Sequence, residues 1–406
     1  MSKQVGFGVV LAVFGVLGSS LAVAQADACA PKKFTKKIEK AMGAAEKAFN
    51  EKQWDAVLAS VAEAEAVPVE KTVFDKYWFG EFRGRAYINQ KKYAEAATEL
   101  EANLNSPCME EAEKPVRQKT VLQLAFQTKN YPKVIELGNQ MIATNPDPEI
   151  GVYVGNAYYI ANDYENTRRV MKDVVAKQEA TSKPPEEVTY RILQGSCVKL
   201  KDNPCIVELF EKLVAHYPKP EYWQDLMGLL MAQTKNNNQL LNLWRLADNV
   251  NVLSDPSEFL EMAQLAIGQG LPGEAQAILD KGFQKGAFAA KQKDQATQLL
   301  NEAKQAVTLD KSTLEKQDVA ARAKPTGDND VKLGAAYLSY NELPKAIEAL
   351  QRGIGKGGVK NPDDAAMLLG IAHLRSGNKP EAANAFNAVK NDPTMTRIAK
   401  LWLLST

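Results

Sequence analysis

The sequence predicts an all-α protein built from stacked pairs of antiparallel helices. One pattern of residues occurs twice in succession near the carboxyl terminus, with a shift of 36 residues between the copies. Apolar residues also recur at helical spacing through most of the remaining chain, and no strand-like alternation of apolar and polar residues competes with them. A single helix pair cannot bury its own apolar seam, so we expect further pairs along the 406 residues.

The repeated pattern combines small residues with bulky ones. Leu333–Leu350 read LGAAYLSYNELPKAIEAL, and Leu369–Phe386 read LGIAHLRSGNKPEAANAF. Small residues such as Gly334 and Gly370 allow two helices to touch, and the bulky positions fill the seam between them. This pattern resembles the tetratricopeptide repeat. The resemblance implies a right-handed superhelical solenoid of about nine such repeats, which acts through its surface.

The amino-terminal 24 residues predict a signal peptide. An uncharged run extends from Gln4 to Ala26 with an apolar centre, and Ala22-Val23-Ala24 fits a small-x-small cleavage site. The run is also just long enough to span a bilayer, so an uncleaved membrane anchor is the alternative. The glycine and serine content favours cleavage near Ala24 and export to the bacterial periplasm.

Export favours disulfide bonds between the four cysteines, because disulfides persist in oxidising compartments. Cys197 and Cys205 fall on the two helices of one predicted repeat, which favours a bridge between them. Cys29 would then tie the mature amino terminus to Cys108. Four buried thiols are the alternative. Neither histidine lies near a cysteine at ligand spacing, so we expect no metal site.

The remaining chain divides into segments that we take in order. Residues 25–35 are a short amino-terminal segment, and residues 36–288 are predicted to form a first array of about seven repeats. Residues 289–326 keep helical spacing but lack the small-residue signature, so they predict a helical connector. The two clear repeats occupy residues 327–395. Residues 396–406 predict a last amphipathic helix that caps the seam of the final repeat.

The repeats of the first array are recognised by framework residues at the same register. These are Ala45, Trp54 and Val57, then Gly84, Tyr87, Ala96 and Leu100, then Tyr131, Val134 and Gly138, then Gly155, Tyr158, Thr167 and Met171, then Cys197, Ile206 and Phe210, then Trp223, Leu240 and Trp244, then Phe259, Ala263, Ala266 and Ala275. The family pattern has a tryptophan in the first helix of each repeat, and this sequence has one there only at Trp223. In the last repeat, His373 stands where the pattern has a tyrosine.

Composition and motifs argue against two broad functions. The chain has 50 basic and 49 acidic residues and no basic stripe, so we expect no nucleic-acid binding. Only two histidines are present, and no serine or cysteine has a visible histidine partner, so we expect no enzyme activity and no cofactor. A glycine run at residues 353–358 looks like a phosphate-binding loop. It lacks the preceding strand, and we interpret it as a helix end with a lengthened turn.

The resemblance also implies which side chains face a partner, because the first helix of each repeat lines the concave side of the superhelix. Carried over by register, the predicted partner-binding residues are Trp78, Arg85, Lys119, Gln123, Asn156, Tyr159, Arg191, Gln224 and Gln264. The same register adds Glu81, Ile88, Val116, Phe126, Glu149, Val152, Val188, Val198, Glu221, Met231, Leu260 and Ile267. A register error of one residue would instead place Phe126 and Tyr159 in the core.

This mixture of aromatic, amide and single charged residues suits an extended peptide. The leading hypothesis is therefore a non-catalytic periplasmic scaffold for protein partners. Exported proteins of this plan resemble accessory factors of envelope transport and assembly complexes, among them TonB-type transport. The membrane would be reached only through partners or through an uncleaved anchor. The alternative is a glycan-binding protein or a regulator of a cell-wall enzyme, which aromatic residues beside carboxylates would favour.

Overall fold

The structure is a computed structural model that describes residues 28–181 and 184–405. The predicted signal peptide and its cleavage at Ala24 lie outside the described residues. Those residues form 21 α-helices and no strand, which confirms the prediction of an all-α protein. None of these helices is long and apolar enough to cross a membrane. The chain forms two compact units that divide between residues 183 and 184, a boundary that the sequence analysis does not predict.

The first unit contains four successive helix pairs. They are α1 (Glu39–Asn50) with α2 (Trp54–Ala66), α3 (Val73–Asn89) with α4 (Tyr93–Asn103), α5 (Lys114–Gln127) with α6 (Tyr131–Thr144), and α7 (Pro148–Ile160) with α8 (Tyr164–Glu179). Each second helix also packs on the first helix of the next pair. The stack is therefore continuous within this unit.

Short turns force the two helices of each pair to run back along each other. In every pair of the first unit the turn contains one residue with left-handed backbone, namely Lys52, Lys91, Lys129 or Asn162. Side-chain caps fix several helix starts, and the strongest is the capping box formed by Thr72 and Asp75 at α3. Turn residues and side-chain caps, both local in sequence, thus help to set the helix boundaries.

Small residues bring the paired helices together. A Cβ atom added at Gly84 of α3 would lie 2.5 Å from Cδ2 of Leu100 on α4, and Leu100 is fully buried. The disulfide between Cys29 and Cys108 joins the start of the described chain to the segment after α4. This is one of the two pairings that the sequence predicts.

The second unit has five helix pairs, two connecting helices and a last helix. The first three pairs are α9 (Glu187–Lys199) with α10 (Asn203–His216), α11 (Pro220–Gln233) with α12 (Asn237–Asn249), and α13 (Pro256–Gly268) with α14 (Pro272–Gln284). The connecting helices are α15 (Ala290–Lys311) and α16 (Leu314–Arg322). Then follow α17 (Asp328–Ser339) with α18 (Leu343–Lys356), α19 (Pro362–Arg375) with α20 (Lys379–Asn387), and α21 (Pro393–Leu404).

The last helix has more contacts than the predicted cap of a final repeat would have. Helix α21 packs on α19 and α20, and Trp402 stacks on Phe386 with 5.6 Å between the ring centroids. The same helix also contacts α10 and α12. At that contact Gln239 of α12 donates a hydrogen bond of 2.7 Å to Asp392, which caps α21. The last helix thus joins the final pair of the second unit to its earlier pairs.

Candidate functional site

In the first unit, the predicted partner-binding positions of α3 surround a buried carboxylate. Glu81 was predicted to face a partner but is 1% exposed, and it accepts hydrogen bonds from Arg85 at 3.1 Å and from Asn103 at 3.1 Å. Arg117 of α5 also pairs with Glu81. The carboxylate links α3, α4 and α5, and Arg85 remains about one-third exposed beside it. Arg85 thus lies partly at the surface, whereas Glu81, which the register predicts to face a partner, lies in the interior.

Two other predicted surface positions are also buried. Ile88 of α3 and Leu260 of α13 are 8% and 6% exposed. Trp78 is half-buried, and its ring lies 5.7 Å from the rings of both Tyr77 and Phe82. Trp78 therefore contributes to the packing of α3 and offers a partner only part of its ring.

The remaining predicted residues of the first unit lie partly exposed on α5 and α7. Lys119 donates a hydrogen bond of 2.7 Å to Glu149, which joins the two helices by an exposed ion pair. Gln123 and Asn156 are half-buried. Tyr159 is also half-buried, with its ring 5.5 Å from that of Tyr164 in an edge-to-face contact. This face combines amides, cations and aromatic edges.

The second unit places three predicted residues on its surface. Arg191 on α9, Gln224 on α11 and Gln264 on α13 are exposed. Gln224 and Met231, both from the predicted set, line a cavity of about 530 Å³ between α11, α12 and α13. Other lining residues are Met227, Thr234, Leu240, Trp244, Val252, Leu253, Glu258 and Glu261. Neither Arg191 nor Gln264 contributes to it.

Trp244 lines this cavity and carries a polar atom that has no partner. The residue is 6% exposed, and its indole Nε1 is buried with no hydrogen-bond partner within the described protein. Leaving such a donor unsatisfied costs about 1–3 kcal/mol, and an acceptor that reached Nε1 would recover that free energy. Two methionines on the wall can adapt to different apolar shapes. The cavity is therefore suited to an apolar segment that carries a carbonyl or another acceptor.

Sequence reasoning found Gln224 and Met231 but did not assign a binding role to Trp244. It placed Trp244 in the helical framework, at the position where the last repeat has Phe386. The available signal was the residue type, because tryptophan at an apolar framework position brings an N–H donor that phenylalanine lacks. A tryptophan at a buried framework position, with no hydrogen-bond acceptor nearby in the sequence, therefore indicates a candidate binding site.

Potential metal ligands come together at one place in the described chain. The ligand atoms of Cys197, Asp202 and Cys205 lie within 4.8 Å of one another. Both sulfurs are joined in the second predicted disulfide, which links α9 to α10. The Asp202 side chain accepts from the backbone N–H of Cys205 and caps α10. These atoms serve the packing of one helix pair, since a disulfide supplies no thiolate ligand.

Comparisons with known proteins find one matching family and several similar structures. A profile of the tetratricopeptide repeat family matches residues 331–396. No curated protein matches the chain. Among solved structures, the chain is similar to a tetratricopeptide repeat protein from Parabacteroides merdae, at 13% identity and a TM-score of 0.33, over 83% of this chain and 99% of that one.

Two further solved structures are similar over much of the chain. The TPR2AB domain of yeast Sti1, in a complex with pHSP90, has 15% identity and a TM-score of 0.25 over 72% of this chain and 99% of that one. The Cut9–Hcn1 hetero-tetramer of APC/C has 12% identity and a TM-score of 0.27 over 91% and 90%. Residues 331–396, from α17 to the start of α21, thus match the tetratricopeptide repeat family, and we call them the tetratricopeptide-repeat segment.

Proposed function

We propose that the protein is an exported, non-catalytic scaffold that binds protein partners. The observation that carries this proposal is the cavity between α11, α12 and α13, where the buried N–H of Trp244 has no partner and Gln224 stands at the rim. A partner's extended segment would place an apolar side chain against Met227 and Met231 and a backbone carbonyl on Trp244. The amide of Gln224 would pair with the backbone of the same segment.

The first unit offers a second face of similar chemistry. Arg85 of α3 and Asn156 and Tyr159 of α7 lie partly exposed on first helices of their pairs, and they combine a planar donor, an amide and an aromatic edge. Arginine and tyrosine are frequent among the residues that dominate the free energy of protein binding. We propose that this face contacts a partner as well, with each unit contributing its own surface.

The periplasm is the compartment that we propose, with the amino-terminal signal removed near Ala24. Both disulfides support export, because cytosolic proteins of most bacteria keep their thiols reduced. Within the envelope we propose a role as an accessory factor of a transport or assembly complex, with TonB-type transport as one such pathway. This part rests on analogy with exported repeat proteins and on no single residue.

Site-specific photo-crosslinking in the native host tests the proposal. A photoreactive amino acid at Gln224 should give a discrete adduct in which mass spectrometry identifies peptides of a second protein, and the same group at the exposed Glu208 of α10 should give none. Trp244→Phe removes the N–H donor while keeping an aromatic ring, and it should reduce the Gln224 adduct several-fold. Equal adducts at Gln224 and Glu208, or an adduct insensitive to Trp244→Phe, would contradict the proposal.

One observation favours a glycan ligand as the second candidate. The cavity combines the indole of Trp244 with the carboxylates of Glu258 and Glu261, and aromatic faces beside acidic groups suit sugars. The same crosslinking experiment separates the two candidates. A Gln224 adduct that a muramidase converts back to the mass of the uncrosslinked protein would favour a cell-wall glycan over a protein.

A further inference from the structure

A second cavity, of about 490 Å³, lies between α18, α19 and α20 of the tetratricopeptide-repeat segment. Its walls are mainly apolar, and Ile354, Val359, Leu369 and Ala385 contribute to them. Its polar lining comes from Gln351, His373, Glu381 and Asn384, together with the backbone of Gly357 and Gly358. These two glycines follow α18 with φ angles of 70° and 67°, in the left-handed region that favours glycine. The volume lies within the range of ordinary ligand sites.

The repeat before this one fills the equivalent space with its own side chains. Thirty-six residues earlier, the equivalent of Ala366 is Asp330 and the equivalent of Ala388 is Arg352. Asp330 is fully buried, and Arg352 donates to it at 2.6 Å and to Asp318 of α16 at 2.7 Å. In the last repeat both positions are alanine and both line the cavity. The cavity therefore results from two specific small residues in a fold that otherwise closes this space.

A buried histidine that has an unpaired ring nitrogen lines the cavity. His373 is 6% exposed, and its Nδ1 is buried with no hydrogen-bond partner within the described protein. The equivalent residue of the preceding repeat is Tyr337. An unpaired ring nitrogen in an apolar pocket leaves its hydrogen-bonding capacity unsatisfied. The ligand should therefore carry one hydrogen-bonding group at the end of an apolar body.

We propose that this cavity binds a tyrosine side chain of a partner polypeptide. A phenol ring fits apolar walls, and its hydroxyl can donate or accept, so it satisfies His373 Nδ1 in either tautomer of the imidazole. The carboxylate of Glu381 provides a further acceptor for the same hydroxyl or for a neighbouring backbone N–H. The preceding repeat shows that this space accepts one long side chain, because Arg352 occupies it there. The proposal does not depend on the cavity at Trp244.

Methyl NMR of the full chain tests the inference. The probes are p-cresol, toluene, which has the same ring and methyl group but lacks the hydroxyl, and the capped tripeptide acetyl-Ala-Tyr-Ala-amide. We expect p-cresol and the tripeptide to shift the methyl signals of Ile354, Val359 and Leu369. Toluene should bind at least five-fold more weakly, because it leaves His373 unpaired. His373→Phe should remove that difference.

Two variants fill the cavity and control for loss of fold. Ala366→Leu and Ala388→Leu enter from opposite walls, and each should abolish the p-cresol shifts while leaving the signals of the remaining methyl groups unchanged. Ala277→Leu, at an exposed position of α14 outside the cavity, should leave binding intact. Binding of p-cresol that survives both filling variants would overturn the site. Binding of p-cresol without the tripeptide would overturn the polypeptide partner and indicate a free phenolic ligand instead.

Discussion

Arg245 and Glu274 form a buried, two-pronged ion pair between α12 and α14. Nε of Arg245 lies 2.7 Å from Oε1 of Glu274, and one terminal nitrogen lies 2.7 Å from Oε2. The two residues are 3% and 8% exposed, and Asn242 accepts a further hydrogen bond of 3.1 Å from the guanidinium. The pair thus ties the second helices of two successive repeats together in a region that water hardly reaches.

Removing one partner of this pair should destabilise the second unit strongly. Glu274→Ala leaves the guanidinium of Arg245 buried and uncompensated, so we expect a loss of about 3–5 kcal/mol in the free energy of unfolding. The double variant Arg245→Met/Glu274→Met should lose much less, because no charge remains buried. Urea unfolding of both variants measures the difference. A double variant that is less stable than Glu274→Ala would contradict this account.

The same pair predicts a dependence of stability on pH. Burial alone would raise the pKa of Glu274, but the charge and hydrogen bonds of Arg245 outweigh it and hold that pKa below the ordinary value of 4.5. The stabilisation is therefore complete above the unfolded-state pKa and is lost as pH falls through the lower folded-state pKa. We expect the stability of the wild type to fall more steeply below about pH 4.5 than that of Glu274→Gln. If the stability of the two proteins falls equally with pH, Glu274 is not the group responsible.

Two glycines of the first unit should respond to alanine in opposite directions. A Cβ at Gly84 would lie 2.5 Å from the buried Leu100, so Gly84→Ala should force α3 and α4 apart and lower stability by about 1–3 kcal/mol. Gly43 lies inside α1 with no atom within 4 Å of its added Cβ. Gly43→Ala should raise stability by about 0.5–1 kcal/mol through helix propensity. Circular dichroism during thermal unfolding measures whether each variant is more or less stable than the wild type.

The two disulfides should differ in what they contribute to stability. In the chain-entropy model, a bridge between Cys29 and Cys108 across 79 residues stabilises by about 4.5 kcal/mol. The bridge between Cys197 and Cys205 spans 8 residues and stabilises by about 2.5 kcal/mol. We expect the paired serine variants to follow this order in urea unfolding without reductant. Free thiols detected by labelling of the denatured wild type would contradict both bridges.

Partner binding and folding should separate at two tyrosines. Tyr87 packs against the core of the first unit, so Tyr87→Ala should lower stability by about 2–3 kcal/mol. Tyr159 contacts Tyr164 at the surface, and Tyr159→Ala should lower stability by about 1 kcal/mol at most. Once a partner is in hand, Tyr159→Ala and Arg85→Ala should each weaken its binding by about 1–3 kcal/mol. If Tyr159→Ala proves as destabilising as Tyr87→Ala, Tyr159 is a core residue.

Much of the helix-pair pattern could be predicted because it depends on contacts that are local in sequence. Gly84 meets Leu100 only 16 residues later, and the two residues are linked by one turn. Small and bulky positions at fixed spacing therefore report directly on that packing. The bridge between Cys197 and Cys205 could be predicted for the same reason, since both cysteines belong to one helix pair.

The features that the sequence did not predict depend on contacts between distant segments. Gln239 bonds to Asp392 across 153 residues, and no spacing rule connects them. Glu81 is buried because Arg117 of the next pair reaches it, so a register that treats each helix alone places it at the surface. Nε1 of Trp244 and Nδ1 of His373 lack hydrogen-bond partners, and this can be recognised only from the three-dimensional positions of their neighbours.

The contact of α21 with α10 and α12 has a consequence for how this protein can evolve. An open stack of repeats can gain or lose units at its end, because each unit touches only its neighbours. In the second unit the terminal helix must also reach α12, where Gln239 holds Asp392. A duplicated or deleted repeat between them would move α21 by a full repeat and break that contact. The contact of α21 with α12 therefore constrains the number of repeats in the second unit. We expect related proteins to differ in the length of its loops and not in the number of its repeats.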